Sequence, residues 1–207
     1  MISRDMPTAQ PKPVVAVTGA SRGIGHAIVR RFYARGWEVI TLARTPFSTV
    51  CPWAEGIVRH IEVNLSDLDS VRAAAAALQG QLDARGLSAL VNNAGISPKG
   101  PGGSRLGTIE TALDDWKTVF QVNFFAPIML ARGLIAELER AKGAVVNVSS
   151  IAGSRVHPFA GAAYATSKSA LAAVEKAGGN VKILAPAKEP ATEERRPNKY
   201  KQPLMMR

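Results

Sequence analysis

The chain carries one cysteine, Cys51, in 207 residues. A lone thiol cannot build an intramolecular disulfide framework, and with no His or Cys at ligand spacing it gives no reason to expect a metal site. Such thiol usage suits a reducing compartment, and the cytoplasm is the expected location. Long apolar runs are also missing. None approaches the roughly 18 residues of a membrane span, and residues 1–13 lack the apolar core of a secretory signal, so neither membrane insertion nor secretion is expected. Acidic residues are scarce, 16 against 26 Lys plus Arg, which leaves a formal charge of +10. An excess of that size suits a nucleic acid, an anionic surface, a phosphorylated cofactor or an acidic substrate, with a solvated basic surface as the bland alternative. Aromatics make up only 6% of the chain, and its basic end holds Tyr200 alone. Without aromatics interleaved among the basic residues, nucleic acid ranks last among the partners.

What is present is organised around one stretch, Thr18-Gly19-Ala20-Ser21-Arg22-Gly23-Ile24-Gly25. It follows the apolar run Val14-Val15-Ala16-Val17, which reads as a buried parallel strand. It precedes residues 26–36, which have apolar positions at helical spacing and end at Gly36. Strand, glycine turn and helix together form the context of a dinucleotide loop. In such a loop Gly19 makes the tight turn, Gly23 lets backbone approach a pyrophosphate, and Gly25 lets helix pack on strand. The helix start then offers free N–H groups and a positive dipole end to phosphate. Glycines serving loop geometry alone are the competing reading.

Residues 37–43 read as a second strand. Dinucleotide sites place an acid near its end to hold the ribose 2′-hydroxyl; this chain has Arg44. An arginine there can pair with a 2′-phosphate through two parallel hydrogen bonds, and Arg22 can reach the same phosphate. Together they favour NADP(H) over NAD(H), against the alternative of two surface arginines. Residues 45–56 read as an irregular crossover, 57–63 as a third strand, and 68–84 as an alanine-rich helix with an N-cap at Ser66 or Asp67. Residues 87–91 form a fourth strand, followed by Asn92-Asn93-Ala94-Gly95, where small residues leave room for a ligand in the crevice at the sheet's carboxyl end. A Pro- and Gly-rich loop at 97–107 leads to helical periodicity over 108–139, with a break expected near 113–115. Asn123 sits there among apolar residues and must find partners, and Pro127 marks a local irregularity. Residues 144–150 read as strand five. Tyr164 and Lys168, four apart, share one helix face beyond it, while His157 reads as a loop residue.

In order, the glycine turn at 18–25, Asn-Asn-Ala-Gly at 92–95, the Ser149-Ser150 strand end and Tyr164-x-x-x-Lys168 resemble the short-chain dehydrogenases/reductases, over roughly residues 14–176. The resemblance implies an α/β fold, a doubly wound parallel sheet of Rossmann type in a single domain. It implies cofactor contacts at Gly19, Ser21, Arg22, Gly23, Ile24, Gly25 and Arg44. Asn64 and Leu65 inherit the adenine contact, and Asn93, Ala94 and Gly95 the place beside the cofactor ribose. It assigns catalysis to Asn123, Ser150, Tyr164 and Lys168, with Tyr164 and Lys168 also touching the cofactor. A tyrosine hydroxyl is ordinarily too weak an acid for neutral-pH work, at a reference value of about 10, and a neighbouring ammonium favours the phenolate. Tyr164 then serves as general acid in reduction and base in oxidation, Ser150 orients the substrate oxygen, and Asn123 completes a proton path with Lys168 and water. Ser150 lies 14 residues before Tyr164, one more than is usual in the family, so a loop insertion is assumed; Ser149 is the weaker candidate.

The function implied is NADPH-dependent reduction of a carbonyl to an alcohol on a small-molecule substrate. The closest likeness is to the 3-oxoacyl carrier-protein reductases, with a homo-oligomer (dimer or tetramer) as the assembly. The alternatives are a cofactor-binding or interaction protein without turnover, or a truncated product. Residues 1–12, with Pro7 and Pro11, read as a flexible arm, 13–187 as the NADP(H)-binding catalytic domain, and 188–207 as a disordered basic tail. Residues 181–186 read as a degenerate sixth strand, with Ala187 where the family has Gly. The sheet is therefore expected to be incomplete at its C-terminal edge and to lack the substrate lid. A poor, marginally stable catalyst follows from that expectation.

Overall fold

The computed structural model describes residues 11–46, 54, 58–155 and 157–178. The expected sixth strand, the basic tail, nearly all of the N-terminal arm and most of the 45–56 crossover lie outside these residues. Five strands, β1 (Val14–Thr18), β2 (Glu38–Ala43), β3 (Arg59–Glu62), β4 (Ala89–Asn92) and β5 (Ala144–Asn147), form one sheet. Its order is β3-β2-β1-β4-β5 and every pairing is parallel. Helices α1 (Gly23–Tyr33) and α2 (Leu68–Gln81) serve as crossovers. The β4–β5 connection carries α3 (Leu113–Phe120), α4 (Ala126–Gly133) and α5 (Ile135–Arg140), and α6 (Ala162–Gly178) follows β5.

The doubly wound arrangement follows from how β1 is buried. All five of its residues are buried, as a central parallel strand with helices on both faces requires. Alternate side chains divide between two cores. Val14 and Ala16 join Ile40, Leu42 and Leu90 against Leu78 of α2 and Leu130 of α4. Val15 and Val17 join Val39 and Val91 against Val29 of α1. The winding reverses at β1, with β2 and β3 on one side and β4 and β5 on the other. The carboxyl ends of β1 and β4 therefore flank the topological switch point, where open α/β sheets bind ligands.

At the opposite, amino-terminal end, Glu38 accepts from both Arg59 and Arg85. These arginines also donate to the Gln81 and Lys12 carbonyls, each at 2.9 Å, clasping the strand ends together. His60 lies on β3 with Nδ1 2.9 Å from Thr41 Oγ1. Its Nε2 is buried without a partner among the described residues. Burial holds the imidazole below its ordinary 6.5, only partly offset by the Glu62 carboxylate.

The helical region after β4 differs from expectation. Residues 108–112 are not helical. The break expected near 113–115 is instead the start of α3: Ala112 is extended at φ −60 and ψ 148, and Asp114 and Asp115 occupy the first turn, where carboxylates suit the helix dipole. The interruption comes later, as a π turn over Gln121–Phe125 immediately before Ala126 and Pro127. A second one falls at Leu134, with φ −112 and ψ 13, between α4 and α5. Strand β5 is half open, with Val145 41% and Val146 44% exposed.

Candidate active site

Three glycines of the first turn are required for three different reasons. Gly19, at φ +64, faces the turn after β4: a Cβ there would stand 2.8 Å from Ala94 Cα. Gly25 lies in the first turn of α1, where a Cβ would stand 2.2 Å from Gly19 O and 2.4 Å from Asn93 Nδ2. Gly23 adopts φ +57, and a Cβ there would meet nothing within 4 Å. The first two bring backbone and helix together, and the third keeps open space at the mouth of α1. The N-cap residue Arg22 gives α1 no side-chain cap bond, and its first turn holds no acid. Its leading N–H groups thus have no side-chain acceptor, which leaves the positive end of the helix available to an anion. This cradle fits a pyrophosphate. Ser21 is half-buried, Arg22 and Ile24 are exposed at its mouth, and Arg44 stands exposed just beyond β2.

Thr18, 2% exposed, ties the two sides of the crevice. Its hydroxyl donates to Val91 O at 3.4 Å and accepts from Asn93 N and Ala94 N, each at 3.0 Å. The Asn93 side-chain amide returns two bonds, to Thr18 O and Gly19 O, at 3.0 Å each. Beside it, Asn92 Nδ2 donates to Asn147 Oδ1 at 2.8 Å across β4 and β5. At the end of β3, Asn64 closes a turn by accepting from Ser66 N and Ser66 Oγ, and Leu65 packs on the core. Asp67, one of the two expected caps, is the residue that caps α2, accepting from Asp69 N at 2.9 Å.

Asn123 sits in the π turn with no exposed surface. Its Oδ1 accepts from Ile96 N at 2.8 Å, while Nδ2 donates to Ile96 O at 3.0 Å and Ser167 Oγ at 3.1 Å. Ser167 passes its own hydroxyl hydrogen to Tyr164 O at 2.8 Å. One buried amide thus fixes the loop after β4 to the first turns of α6. Lys168, 3% exposed, donates from Nζ to Val148 O at 2.8 Å. A Cβ on Gly95 would stand 3.5 Å from both Asn123 Oδ1 and Lys168 Nζ, so these three residues meet. Tyr164 lies one turn before Lys168 on α6 and is half-buried. Ser150 caps the short turn Ile151–Gly153 by accepting from Ala152 N at 3.2 Å. His157 is a loop residue, with Nδ1 accepting from Phe159 N at 3.4 Å.

The residues singled out from sequence fall into two groups at the same end of the sheet, the glycine turn with Asn93–Gly95 and the Asn123, Tyr164 and Lys168 group, with Gly95 touching both. Sequence reasoning passed over Thr18 and Ser167, whose hydroxyls join the groups; a small hydroxyl residue just before the first glycine was the available signal for Thr18. Among the described residues no cluster of His, Cys, Asp and Glu could hold a metal ion, and no helix is long and apolar enough to cross a membrane.

A family model described as short chain dehydrogenase matches residues 13–180. Protein FixR of Bradyrhizobium diazoefficiens is 51% identical over 168 residues, covering 81% of this chain and 60% of FixR, so the chain spans less than two thirds of that relative. A crystal structure of an oxidoreductase of the short chain dehydrogenase/reductase family from Brucella ovis, in complex with a partially ordered NAD, is 60% identical with a TM-score of 0.75, covering 79% of this chain and 74% of that one. A metagenomic short-chain oxidoreductase in complex with NADP is 30% identical with a TM-score of 0.69, covering 80% and 73%.

Proposed function

Because the chain belongs to the short chain dehydrogenase family of oxidoreductases, we propose that it interconverts a carbonyl and an alcohol on a small molecule and prefers NADP(H) to NAD(H). The observation that carries this reading is the meeting of Gly95, Asn123 and Lys168 at the switch point, with Tyr164 one turn away on α6. The glycine cradle, Asn93 and Lys168 would hold a nicotinamide cofactor, with Asn64 and Leu65 serving its adenine and Ala94 and Gly95 its ribose, and the cofactor would supply the hydride.

Tyr164 gives its hydroxyl proton to the forming alkoxide in reduction and takes it back in oxidation. Ser150 donates to the substrate oxygen; its bond from Ala152 N uses only an oxygen lone pair, so its O–H stays available. Asn123 holds Ile96 and Ser167, and through Ser167 the Tyr164 carbonyl, so the acid stands in a fixed place. Arg22 and Arg44 support NADP(H): both are exposed at the crevice mouth, where no acid stands at the end of β2. The proposal includes a homo-oligomer, supported by the exposed Leu113 and Phe125 on and after α3 and readable by analytical ultracentrifugation.

A cofactor-binding protein without turnover is the second reading, favoured by the place of β5 at the sheet's edge among the described residues. The discriminating experiment follows NADPH and NADH oxidation by the purified chain against a carbonyl panel that includes a 3-oxoacyl thioester. Tyr164→Phe is expected to abolish turnover while the cofactor titrates as in the parent. Saturable cofactor binding with no oxidation of any carbonyl would refute the enzymatic reading and support the second. Turnover in Tyr164→Phe would show that another group supplies the proton.

A further inference from the structure

Two loops meet over the first turn of α6. Residues 96–107 leave β4, and 148–161 lead from β5 into α6. They are joined where Ala162 N donates to Leu106 O at 3.0 Å and where Lys99 Nζ donates to Phe159 O. Gly161 is pressed into the same joint, with a Cβ there standing 3.4 Å from Leu106 O and 3.8 Å from Pro98 O. Tyr164 is the third residue of α6 and Ser150 stands near the start of the second loop, so the joint forms the rim over the reacting groups.

Within the two loops every charged side chain is basic, and the nearest carboxylate, Glu110, stands against Gly107 at the end of the first loop, where a Cβ would lie 2.4 Å from its Oε2. The two loops contain Lys99, Arg105 and Arg155, and neither contains an Asp or a Glu. All three cations are exposed, and among the described residues no carboxylate pairs with any of them. Lys99 differs from the other two rim cations because its ammonium is anchored. One of its three N–H donors is spent on Phe159 O and two remain. Anchoring reduces the side-chain entropy lost when those donors bind a ligand. Beside it the Phe159 ring is 65% exposed, with the His157 ring edge-on at 5.9 Å. The rim therefore offers an oriented ammonium bound to the backbone of a residue whose aromatic ring is exposed.

We propose that Lys99 is a specificity-determining residue, and that the substrate carries a carboxylate or phosphate anion in addition to its reacting carbon. Arg105 and Arg155 add to the local positive field that draws such a molecule in. This inference rests on the oxidoreductase reading, and its test separates the two.

Two matched pairs serve as probes: 3-hydroxybutyrate with its methyl ester, and 3-hydroxybutyl phosphate with the parent diol. Binding to the NADP⁺-loaded full chain is measured by calorimetry, and oxidation by the appearance of NADPH. In the parent, at least one anionic member is expected to win over its neutral partner by about tenfold or more, the factor a charge-assisted hydrogen bond supplies. Raised salt should shrink that ratio. Lys99→Met should bring it close to one, whereas Arg132→Gln, which removes a charge from the last turn of α4, should leave it unchanged. The pair that responds distinguishes carboxylate from phosphate. A ratio near one in the parent, no binding of any probe, or an equal loss in Arg132→Gln would overturn the proposal. Selective anion binding that Lys99→Met abolishes would uphold it even if no probe is oxidised, the oxidoreductase reading being judged by the carbonyl panel; oxidation of both members at equal efficiency would overturn it while upholding that reading.

Discussion

Replacing Gly25 with alanine tests how tightly α1 is seated on the first turn. The added Cβ would stand 2.2 Å from Gly19 O and 2.4 Å from Asn93 Nδ2. Neither atom is free to yield. Gly19 O belongs to a backbone turn at φ +64, and Asn93 Nδ2 is already bonded to Thr18 O and Gly19 O at 3.0 Å each. The added methyl both presses α1 off the turn and swings the amide out, away from both carbonyls. Overpacking of this sort costs about 1–3 kcal/mol, and two lost hydrogen bonds about 1 kcal/mol each. Alanine returns up to about 1 kcal/mol through its higher helix propensity. The expected loss is therefore about 2–4 kcal/mol. Gly23→Ala is the internal comparison: its Cβ meets nothing, and only the left-handed backbone at φ +57 resists it, at about 1–2 kcal/mol. Urea unfolding followed by tryptophan fluorescence should rank Gly25→Ala below Gly23→Ala in stability. Cofactor titration should show Gly23→Ala losing affinity out of proportion to its stability, because its new methyl occupies the mouth of the cradle. A Gly25→Ala protein within about 0.5 kcal/mol of the parent would refute the close seating of α1.

Arg44→Asp should reverse the cofactor preference, since it exchanges a phosphate partner for a 2′-hydroxyl partner. The contact is worth about 1.5–3 kcal/mol, and equal NADPH and NADH affinities in the parent would sink the idea. His60 should govern stability at mildly acid pH. Its imidazole is held below 6.5 in the fold, so its contribution is complete above that value and is lost as pH falls through it, because the unfolded chain takes the proton more readily. His60→Gln should flatten this acid-side loss, and urea midpoints measured from about pH 5 to 8 with the same slope in both proteins would show that His60 is not the group responsible.

The strands and the glycine turn were legible because they rest on local pattern. Val14 to Val17 is an unbroken apolar run, and the turn's three glycines answer to two close approaches and one left-handed backbone conformation. The region after β4 was harder to read. Asp114 and Asp115 look the same as a loop and as the first turn of a helix, so the sequence pattern carries helical periodicity back to Thr108 and suggests a break at the real start of α3. The π turn leaves a weaker trace, because one widened turn shifts the apolar phase without adding a breaker residue. Only Pro127, just beyond it, signalled an irregularity. Asn123 was legible as a buried amide needing partners, but the identity of those partners was not. Ile96 and Ser167 are 27 and 44 residues away in sequence, and no local pattern encodes such distances. The same limit hid Thr18, whose bonds reach 73 to 76 residues ahead.

The bonds around Thr18 also determine where the molecule can give way. Opening a gap between β1 and β4 at their carboxyl ends would rupture five contacts through two side chains, Thr18 and Asn93. Such a rupture has no stable halfway state, since the buried hydroxyl and amide would each lose all their partners at once. The floor of the crevice is thus rigid, and a large guest cannot enter by prising the strands apart. All adaptation to size must come from the segments above the floor, and a guest that reaches it meets groups that are already ordered, so no freezing of backbone is subtracted from its affinity there.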